Sequence, residues 1–292
     1  MDPSIFFQHL LNGVTLGSLY AFIAVGLTII YGITRIINFA HGRFYMLGAY
    51  ITYIFLQIIG LHYFIALPLT ILTLFIIGYL FDVIVLRKIR ERGYVVTTVI
   101  TLCVGLIIGN LVKAIWGRID LMMHTFLTKS VTIGPITTYA QRLFSIPVIL
   151  VTFWILHYFL FNTKTGNAMR AYSQNQELCI AVGVDTNRIL TFSIALSASL
   201  AGLGAAVIAP LFRIFPDVGG LPINKAYVII CMGGFGNVKG ALLCAFIIGI
   251  TESVLAGYFF PSYRDLFGFA LAIIVFLIRP QGIFGTKVGF EW

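Results

Sequence analysis

Two short stretches place glycine, asparagine and basic residues between long apolar runs. The first covers residues 38–42 (NFAHG), between runs that end at Ile37 and begin at Phe44, and the second covers residues 233–240 (GGFGNVKG). Irregular backbone at membrane depth is stable only when it is buried in protein or lines a water-filled path. Paired interruptions, one in each half of the chain, are therefore typical of discontinuous helices beside a transport path.

A helix that starts after such a break points its free N–H groups and its positive dipole end at the break, where the carboxylate of an amino acid could bind briefly. The alternative is that both stretches are ordinary surface turns, because glycine and asparagine are common turn formers. Spacing alone leaves both interpretations open. The candidate path residues are Asn38, His41, Gly42, Gly233, Gly234, Gly236, Asn237 and Glu252.

Glu252 belongs to this set because it lies inside the apolar run 240–260. A charge at the centre of a spanning helix costs roughly 3 kcal/mol, so we expect Glu252 to face the interior of the bundle. It could form a structural ion pair with Lys225 or Lys239, or it could contact the ammonium group of a solute. Asp82, five residues before Arg87, is expected at the membrane interface.

The elements that carry these residues are apolar helices. The chain has 292 residues, 60% hydrophobic and 10% charged, whereas soluble domains are about a quarter charged. Stretches of the roughly 20 apolar residues that cross a bilayer recur throughout, so we predict a single all-α membrane domain over residues 1–292, with about eight or nine segments. The predicted spans are 10–31, 42–60, 63–86, 94–116, 143–161, 189–212, 222–238, 240–260 and 265–279, of which 222–238 could be re-entrant.

The net charge of +9 follows from basic loops rather than from a nucleic-acid-binding stripe, because cytoplasmic loops are rich in Lys and Arg. Residues 87–93 (RKIRERG) indicate a cytoplasmic loop, as do residues 162–188 and the tail after Ile278. Residues 117–142 then face the opposite side. The first ten residues contain no Lys or Arg, so we expect the first apolar run to be a retained helix rather than a signal peptide.

The segment 162–188 is too long and polar to be a simple connection. Residues 168–181 are compatible with a short surface helix that docks on a partner, and the alternative is an amphipathic segment lying on the bilayer. The side chains expected to enter the groove of the partner are Ala168, Met169, Tyr172, Leu178 and Cys179.

Catalytic and metal-binding motifs are missing from the sequence. The four cysteines are scattered without a CxxC pair, and neither HExxH nor the phosphate loop GxxxxGK[ST] occurs. The sequence therefore predicts no catalytic residue, metal site or cofactor, and no ATP hydrolysis by this chain.

Several segments together resemble one family, the branched-chain amino acid permeases of ABC importers. Residues 26–50 (GLTIIYGITRIINFAHGRFYMLGAY) are similar to its N-terminal signature. Residues 165–171 (TGNAMRA), Glu177 and residues 181–184 (AVGV) are similar to its cytoplasmic loop. Further matches are residues 233–241, Glu252 and residues 279–285 (RPQGIFG), although Gln281 replaces the usual threonine.

The resemblance covers nearly the whole chain and implies the smaller of two sister permeases in a bacterial inner membrane. It implies a homologous second permease, two cytoplasmic ATPases that bind the ATP, and a periplasmic substrate-binding protein that sets most of the selectivity. The expected solutes are leucine, isoleucine and valine, with urea, amides or other amino acids as alternatives. Contact with the ATPases is expected to use Thr165, Gly166, Met169, Arg170, Glu177 and Gly183.

Two other classes of protein remain as hypotheses. An ion-coupled secondary transporter or channel would use Glu252, His41 and Lys225 to carry protons or ions, and it would move solute when purified alone. An intramembrane enzyme would need clustered acids, bases or metal ligands, which the few ionisable residues do not supply.

Overall fold

A computed structural model of the chain describes residues 3–123, 129–133 and 136–285. It is an all-α membrane bundle, which confirms the predicted fold class, with one unpredicted antiparallel hairpin of β1 (Ser130–Ile133) and β2 (Ile136–Tyr139). The helices are α1 Pro3–Thr34, α2 His41–Tyr53, α3 Tyr63–Phe81, α4 Arg87–Ile89, α5 Tyr94–Trp116, α6 Ala140–Asn162, α7 Lys164–Gln174, α8 Gln176–Ala181, α9 Thr186–Ile208, α10 Gly220–Gly233, α11 Val238–Tyr258 and α12 Arg264–Ile278.

Among the described residues, seven helical stretches are long and apolar enough to cross a membrane. They are Ser4–Thr34, Tyr63–Ile89, Tyr94–Trp116, Ala140–Asn162, Thr186–Leu211, Val238–Tyr258 and Pro261–Ile278. The predicted spans 42–60 and 222–238 are absent from this set. They correspond to α2, which continues as the π-helical segment Ile54–Ile58, and to α10, which has 14 residues. At about 1.5 Å per residue α10 covers about 20 Å, less than the roughly 30 Å of a hydrocarbon core, which favours the re-entrant alternative for residues 222–238. The chain is helical from His41 to Ile58, so its length alone does not exclude a crossing there.

The two ends of the bundle carry different chain segments. At one end, here called the basic end, Arg90 donates a hydrogen bond to Asn187, and Gln176 donates to the carbonyl of Ile33. This end therefore gathers the segments 87–93 and 162–188. At the opposite end, here called the hairpin end, the hairpin precedes α6 and Leu121 pairs with Ile214 after α9. His124 and Lys287 lie outside the described residues.

The core is built around α1, which packs between α9, α10 and α11. Small residues let these helices approach closely: a Cβ placed on Gly249 would lie 2.4 Å from the backbone nitrogen of Gly17. In the same way, a Cβ on Gly48 of α2 would lie 2.8 Å from the Cα of Gly202. Because lipid tails are as apolar as leucine, close packing of small residues is what holds membrane helices together.

Candidate functional site

The break between α1 and α2 returns the chain into the bundle. His41, the first residue of α2, is fully buried, and its Nε2 donates to the carbonyl of Ile23 at 3.1 Å. Ser197 of α9 donates to the carbonyl of Gly26 at 2.6 Å and lies 3.4 Å from His41 Nδ1. Because Gly26 precedes the end of α1 by about two turns, α2 begins deep inside the bundle. His41 ties that start to α1.

Asn38 lies within this break and is almost completely buried. Its side-chain oxygen accepts from the backbone of Ala40 at 3.0 Å, and its carbonyl accepts from the hydroxyl of Tyr227 at 3.0 Å. The amide nitrogen of the side chain has no partner among the described residues. Asn38 therefore fixes the irregular backbone and connects it to α10.

The start of α10 lies against the break between α1 and α2. A Cβ placed on Gly219, immediately before α10, would lie 2.0 Å from the carbonyl oxygen of Gly42. From this junction α2 runs beside α9 towards the hairpin end, where Gly48 meets Gly202, while α10 runs towards the basic end. Neither helix start has a capping side chain. Two positive helix ends thus meet inside the bundle.

A carboxylate lies beside this junction. Arg43 of α2 contacts Asp217 at 3.0 Å, and Lys113 of α5 contacts the other oxygen of the same carboxylate at 2.9 Å. The hydrogen bond from Lys113, followed by that from Arg43, lowers the pKa of Asp217. The side chain of Asp217 is about half exposed, so solvent reaches this charged group. In such an arrangement the carboxylate of another molecule can replace that of Asp217 between Arg43 and Lys113.

The second predicted break lies elsewhere, at the basic end. A Cβ on Gly233 would lie 2.5 Å from the carbonyl carbon of Gly240, and Gly234 and Gly236 have φ angles of +92° and +77°. Asn237 caps α11 by accepting from the backbone of Gly240 at 2.9 Å, and its amide group donates to the carbonyl of Phe284. Gly236 packs on Gly32 of α1. This segment is thus a closed turn covered by residues 282–285.

Glu252 is fully buried and faces the bundle interior. Of the two partners considered from the sequence, Lys225 is the one in contact, at 2.5 Å, and Tyr20 donates to the other carboxylate oxygen at 2.8 Å. Lys225 also lies 3.3 Å from the exposed carboxylate of Asp265 and 3.8 Å from the ring centroid of Phe269. Through these contacts Lys225 and Glu252 link α10 to α1, α11 and α12.

Asp82 anchors the basic segment to the bundle. It was expected at the membrane interface, and its side chain is fully buried within the protein and contacts Arg90 of the basic end at 2.6 Å. Thr191 of α9 donates to the second carboxylate oxygen at 2.6 Å. The basic segment 87–93 therefore folds back onto the bundle through Arg90, which supplies the countercharge that a buried carboxylate needs.

The segment 162–188 forms two helices, α7 and α8, where one was expected. Among the residues predicted to contact ATPases, Thr165, Glu177 and Gly183 are exposed. Gly166 and Met169 are buried, and the guanidinium carbon of Arg170 lies 4.2 Å from the ring centroid of Phe161.

The apolar side chains of this segment also require correction. Met169, Tyr172 and Cys179 were expected to enter the groove of a partner, but all three are buried within this chain. Burial raises the pKa of Tyr172. The large apolar side chains that remain exposed are those of Leu178, Ile180 and Val182, of which only Leu178 was predicted. The three are here called the α8 patch.

Sequence reasoning missed Arg43, Asp217 and Gly219. The available signal was the glycine pair Gly219-Gly220, which begins two residues after Asp217 and resembles the glycine-containing break at residues 38–42. The predicted absence of a metal site stays a prediction, although within the described ranges no three His, Cys, Asp or Glu residues cluster.

Residues 9–276 match the family described as "Branched-chain amino acid transport system / permease component". The permease protein BraD of a high-affinity branched-chain amino acid transport system in Pseudomonas aeruginosa is 30% identical, over 96% of both chains. The permease protein LivH of Escherichia coli K12 is 26% identical over 96% of both chains, and the permease protein LivM of the same strain is 21% identical over 92% of this chain and 68% of its own. No solved structure matches the chain.

Proposed function

The chain belongs to the permease components of branched-chain amino acid transport systems, and from this premise we propose that it forms half of the translocation path of an ATP-driven importer. The observation that carries the proposal is the match over 96% of both chains to a relative named as such a permease. The whole bundle, rather than one motif, is shared. The proposed solutes are leucine, isoleucine and valine.

The basic end is assigned to the cytoplasm and the hairpin end to the outside, in accordance with the positive-inside rule. A homologous second permease is the proposed neighbour, which is supported by the similarity to LivM as well as LivH. Exposed apolar faces of α5, α6 and α12 are available for this neighbour and for lipid. They include Leu106, Ile107, Leu111, Leu150, Trp154, Ile273 and Leu277.

The junction of Gly42 and Gly219 is the proposed centre of the path. It combines two uncapped helix starts with a solvent-accessible carboxylate held by Arg43 and Lys113. Discontinuous helices that meet inside a bundle are where transporters bind their solutes. A weak site is expected, because an external binding protein delivers the solute at high local concentration.

Coupling to two cytoplasmic ATPases is proposed to run through α7 and α8. The α8 patch offers an ATPase three exposed apolar side chains, and Gly183 beside it is open to solvent. Gln176 at the start of α8 donates to the carbonyl of Ile33 at 3.2 Å. This hydrogen bond can transmit a movement of α8 to the last turn of α1, which leads into the break before α2.

The test is ATP-driven uptake of leucine by the complete importer in proteoliposomes. We expect the variant Leu178→Ser/Ile180→Ser/Val182→Ser to lower uptake more than tenfold, because burial of each such side chain contributes about 1.5–3 kcal/mol to binding. Ile119→Ser at the hairpin end is the control, since Ile119 and Val182 are 66% and 69% exposed. It should leave uptake unchanged.

Normal uptake by the triple variant would contradict the docking of an ATPase on α8. Uptake by the purified chain alone, driven by an ion gradient without ATP, would contradict the importer itself and favour a secondary transporter. The ratio of ATP hydrolysed to leucine transported separates a loss of coupling from a loss of assembly.

A further inference from the structure

A cavity opens at the hairpin end, away from the junction. It has a volume of about 310 Å³ and lies between the starts of α1, α6 and α12 and the end of α11. Two arginines from different helices line it, Arg142 of α6 and Arg264 of α12, together with Asn12 of α1. The cavity is therefore cationic, and the mechanism proposed above does not use it.

Arg142 is turned into the cavity rather than towards bulk water. Its guanidinium group donates a hydrogen bond to the side-chain oxygen of Asn12. That bond uses the carbonyl of the Asn12 amide and leaves its two N–H groups to other acceptors. Within the described ranges, Arg142 forms no ion pair.

Arg264 supplies the second observation. Its Nε is buried, and it has no hydrogen-bond partner among the described residues. Arginines near the ends of spanning helices normally extend their charged groups to the water interface. A buried, unpaired N–H of a guanidinium is costly, so an acceptor that bound beside Arg264 would be stabilised.

No carboxylate among the described residues accepts a hydrogen bond from Arg264 Nε. The nearest carboxylates to Arg264 belong to Glu252 and Asp265, and both contact Lys225, at 2.5 Å and 3.3 Å. The remaining titratable side chain of the lining is that of His9, which packs against Gly257. Ser253 donates its hydroxyl proton to the carbonyl of His9 at 2.7 Å. The cavity thus presents donors without an anionic acceptor.

We propose that this cavity binds an oxyanion, a carboxylate or a phosphate group, between Arg142 and Arg264. Guanidinium groups bind both anions through paired, charge-assisted hydrogen bonds, and the amide N–H groups of Asn12 complete the set. The anion has two possible sources at this end of the bundle. One is the carboxylate of an arriving amino acid, which rests on the proposed function, and the other is the phosphate of a lipid headgroup, which does not.

The experiment measures the thermal unfolding midpoint of the full chain in detergent, with two matched pairs of probes. L-leucine is compared with L-leucinamide, which lacks the carboxylate, and sn-glycerol 3-phosphate is compared with glycerol. We expect at least one oxyanion to raise the midpoint in a saturable way while its neutralised counterpart does not. Stabilisation by leucine identifies a solute site, and stabilisation by glycerol phosphate alone identifies a headgroup site.

Arg142→Gln and Arg264→Gln should each weaken the apparent affinity at least about tenfold, since each removes charge-assisted hydrogen bonds. Arg118→Gln is the control, because Arg118 is an exposed arginine at the same end. Asn12→Asp places a carboxylate inside the cavity, so it should raise the midpoint without ligand and abolish the response to the oxyanion.

Three results would overturn the inference: no response of the wild-type chain to either oxyanion, equal weakening by Arg118→Gln, or an undiminished response in Asn12→Asp. Asn12→Asp adds no bulk, so its response to the oxyanion tests the proposed site even if an arginine variant fails to fold. Uptake by the complete importer is measured separately. If the importer transports leucine but the chain responds to neither oxyanion, the proposed anion site is refuted and the proposed function stands.

Discussion

The two interruptions predicted from the sequence, residues 38–42 and 233–240, both contain glycine and asparagine but differ in structure. At the junction, two helices that are far apart in the chain begin side by side, without capping side chains, next to a carboxylate held by Arg43 and Lys113. The turn at residues 233–240 instead joins consecutive helices, with Asn237 as the cap of α11 and Phe284 against it.

Glycine is required for a different reason in each place. Gly219 has an ordinary φ of −80°, but a side chain there would collide with the backbone of Gly42. Gly234 and Gly236 have positive φ angles, which side chains other than hydrogen disfavour. One interruption is therefore a contact between backbones and the other is a local turn, and only the first brings together two helix starts without capping side chains.

Helix α10 connects the two interruptions, so its anchoring should matter most. Lys225→Met leaves Glu252 buried without its countercharge, and we expect a loss of about 3–5 kcal/mol in the free energy of unfolding. The measurement is unfolding of the detergent-solubilised chain in increasing sodium dodecyl sulfate.

Lys239→Met is the control for this prediction, because Lys239 is exposed beside the closed turn; it should change stability by less than about 0.5 kcal/mol. The double variant Lys225→Met/Glu252→Gln should recover most of the loss, since glutamine is neutral and still accepts from Tyr20. An equal loss in the double and single variants would show that the contacts of the Lys225 ammonium group with Asp265 and Phe269, and not its pairing with Glu252, hold α10.

Neighbouring glycines test the junction itself. Gly219→Ala should cost about 2–3 kcal/mol, because its Cβ would lie 2.0 Å from the carbonyl oxygen of Gly42. Gly220→Ala should lie within about 0.5 kcal/mol of wild type, because nothing is found within 4 Å of its Cβ position. Gly236→Ala at the closed turn should cost about 1–2 kcal/mol through its positive φ.

Leucine uptake separates these three variants further. Gly219→Ala should lower uptake even at temperatures where the chain stays folded, whereas Gly236→Ala should lower uptake only as far as it lowers the amount of folded protein. If Gly219→Ala and Gly220→Ala behaved alike, the close approach of the two backbones at the junction would be refuted.

The sequence predicts the helical bundle well because each helix is determined by residues that lie close together in the chain. Long apolar runs specify spanning helices wherever they occur, since composition alone decides whether a segment can cross a bilayer. The candidate partners of Glu252 were also limited to two lysines, since few countercharges lie in apolar sequence. Each of these inferences uses either composition or a few neighbouring positions.

The junction was missed because it depends on contacts between distant residues. Nothing local to Gly219 indicates that Gly42 lies against it, 177 positions earlier in the chain. The error at Met169, Tyr172 and Cys179 has a related cause: an amphipathic helix shows one apolar face, but the pattern does not say whether that face meets its own bundle or a partner. The burial of Asp82 was not predicted, because its partner Arg90 follows it by two turns, outside the apolar run.

The smallest expected effect concerns the carboxylate at the junction. Hydrogen bonds from Lys113 and Arg43 lower the pKa of Asp217, so the folded chain holds this carboxylate ionised more strongly than the unfolded chain does. The resulting stability is fully present above the ordinary carboxyl pKa of about 4 and is lost as pH falls through the lowered value. Because the side chain is 53% exposed, Asp217→Asn should cost less than about 1 kcal/mol at neutral pH.

The control is Asp120→Asn, which removes a comparably exposed carboxylate paired with Arg213 at 3.3 Å. Both substitutions should change stability little, but only Asp217→Asn should change leucine uptake, because it frees Arg43 and Lys113 beside the two helix starts. A carboxylate that competes with the solute for these cations predicts a lower KM for uptake in Asp217→Asn. If KM and maximal rate both stayed at wild-type values, Asp217 would be a surface ion pair like Asp120, and the junction would bind solute through its helix ends alone.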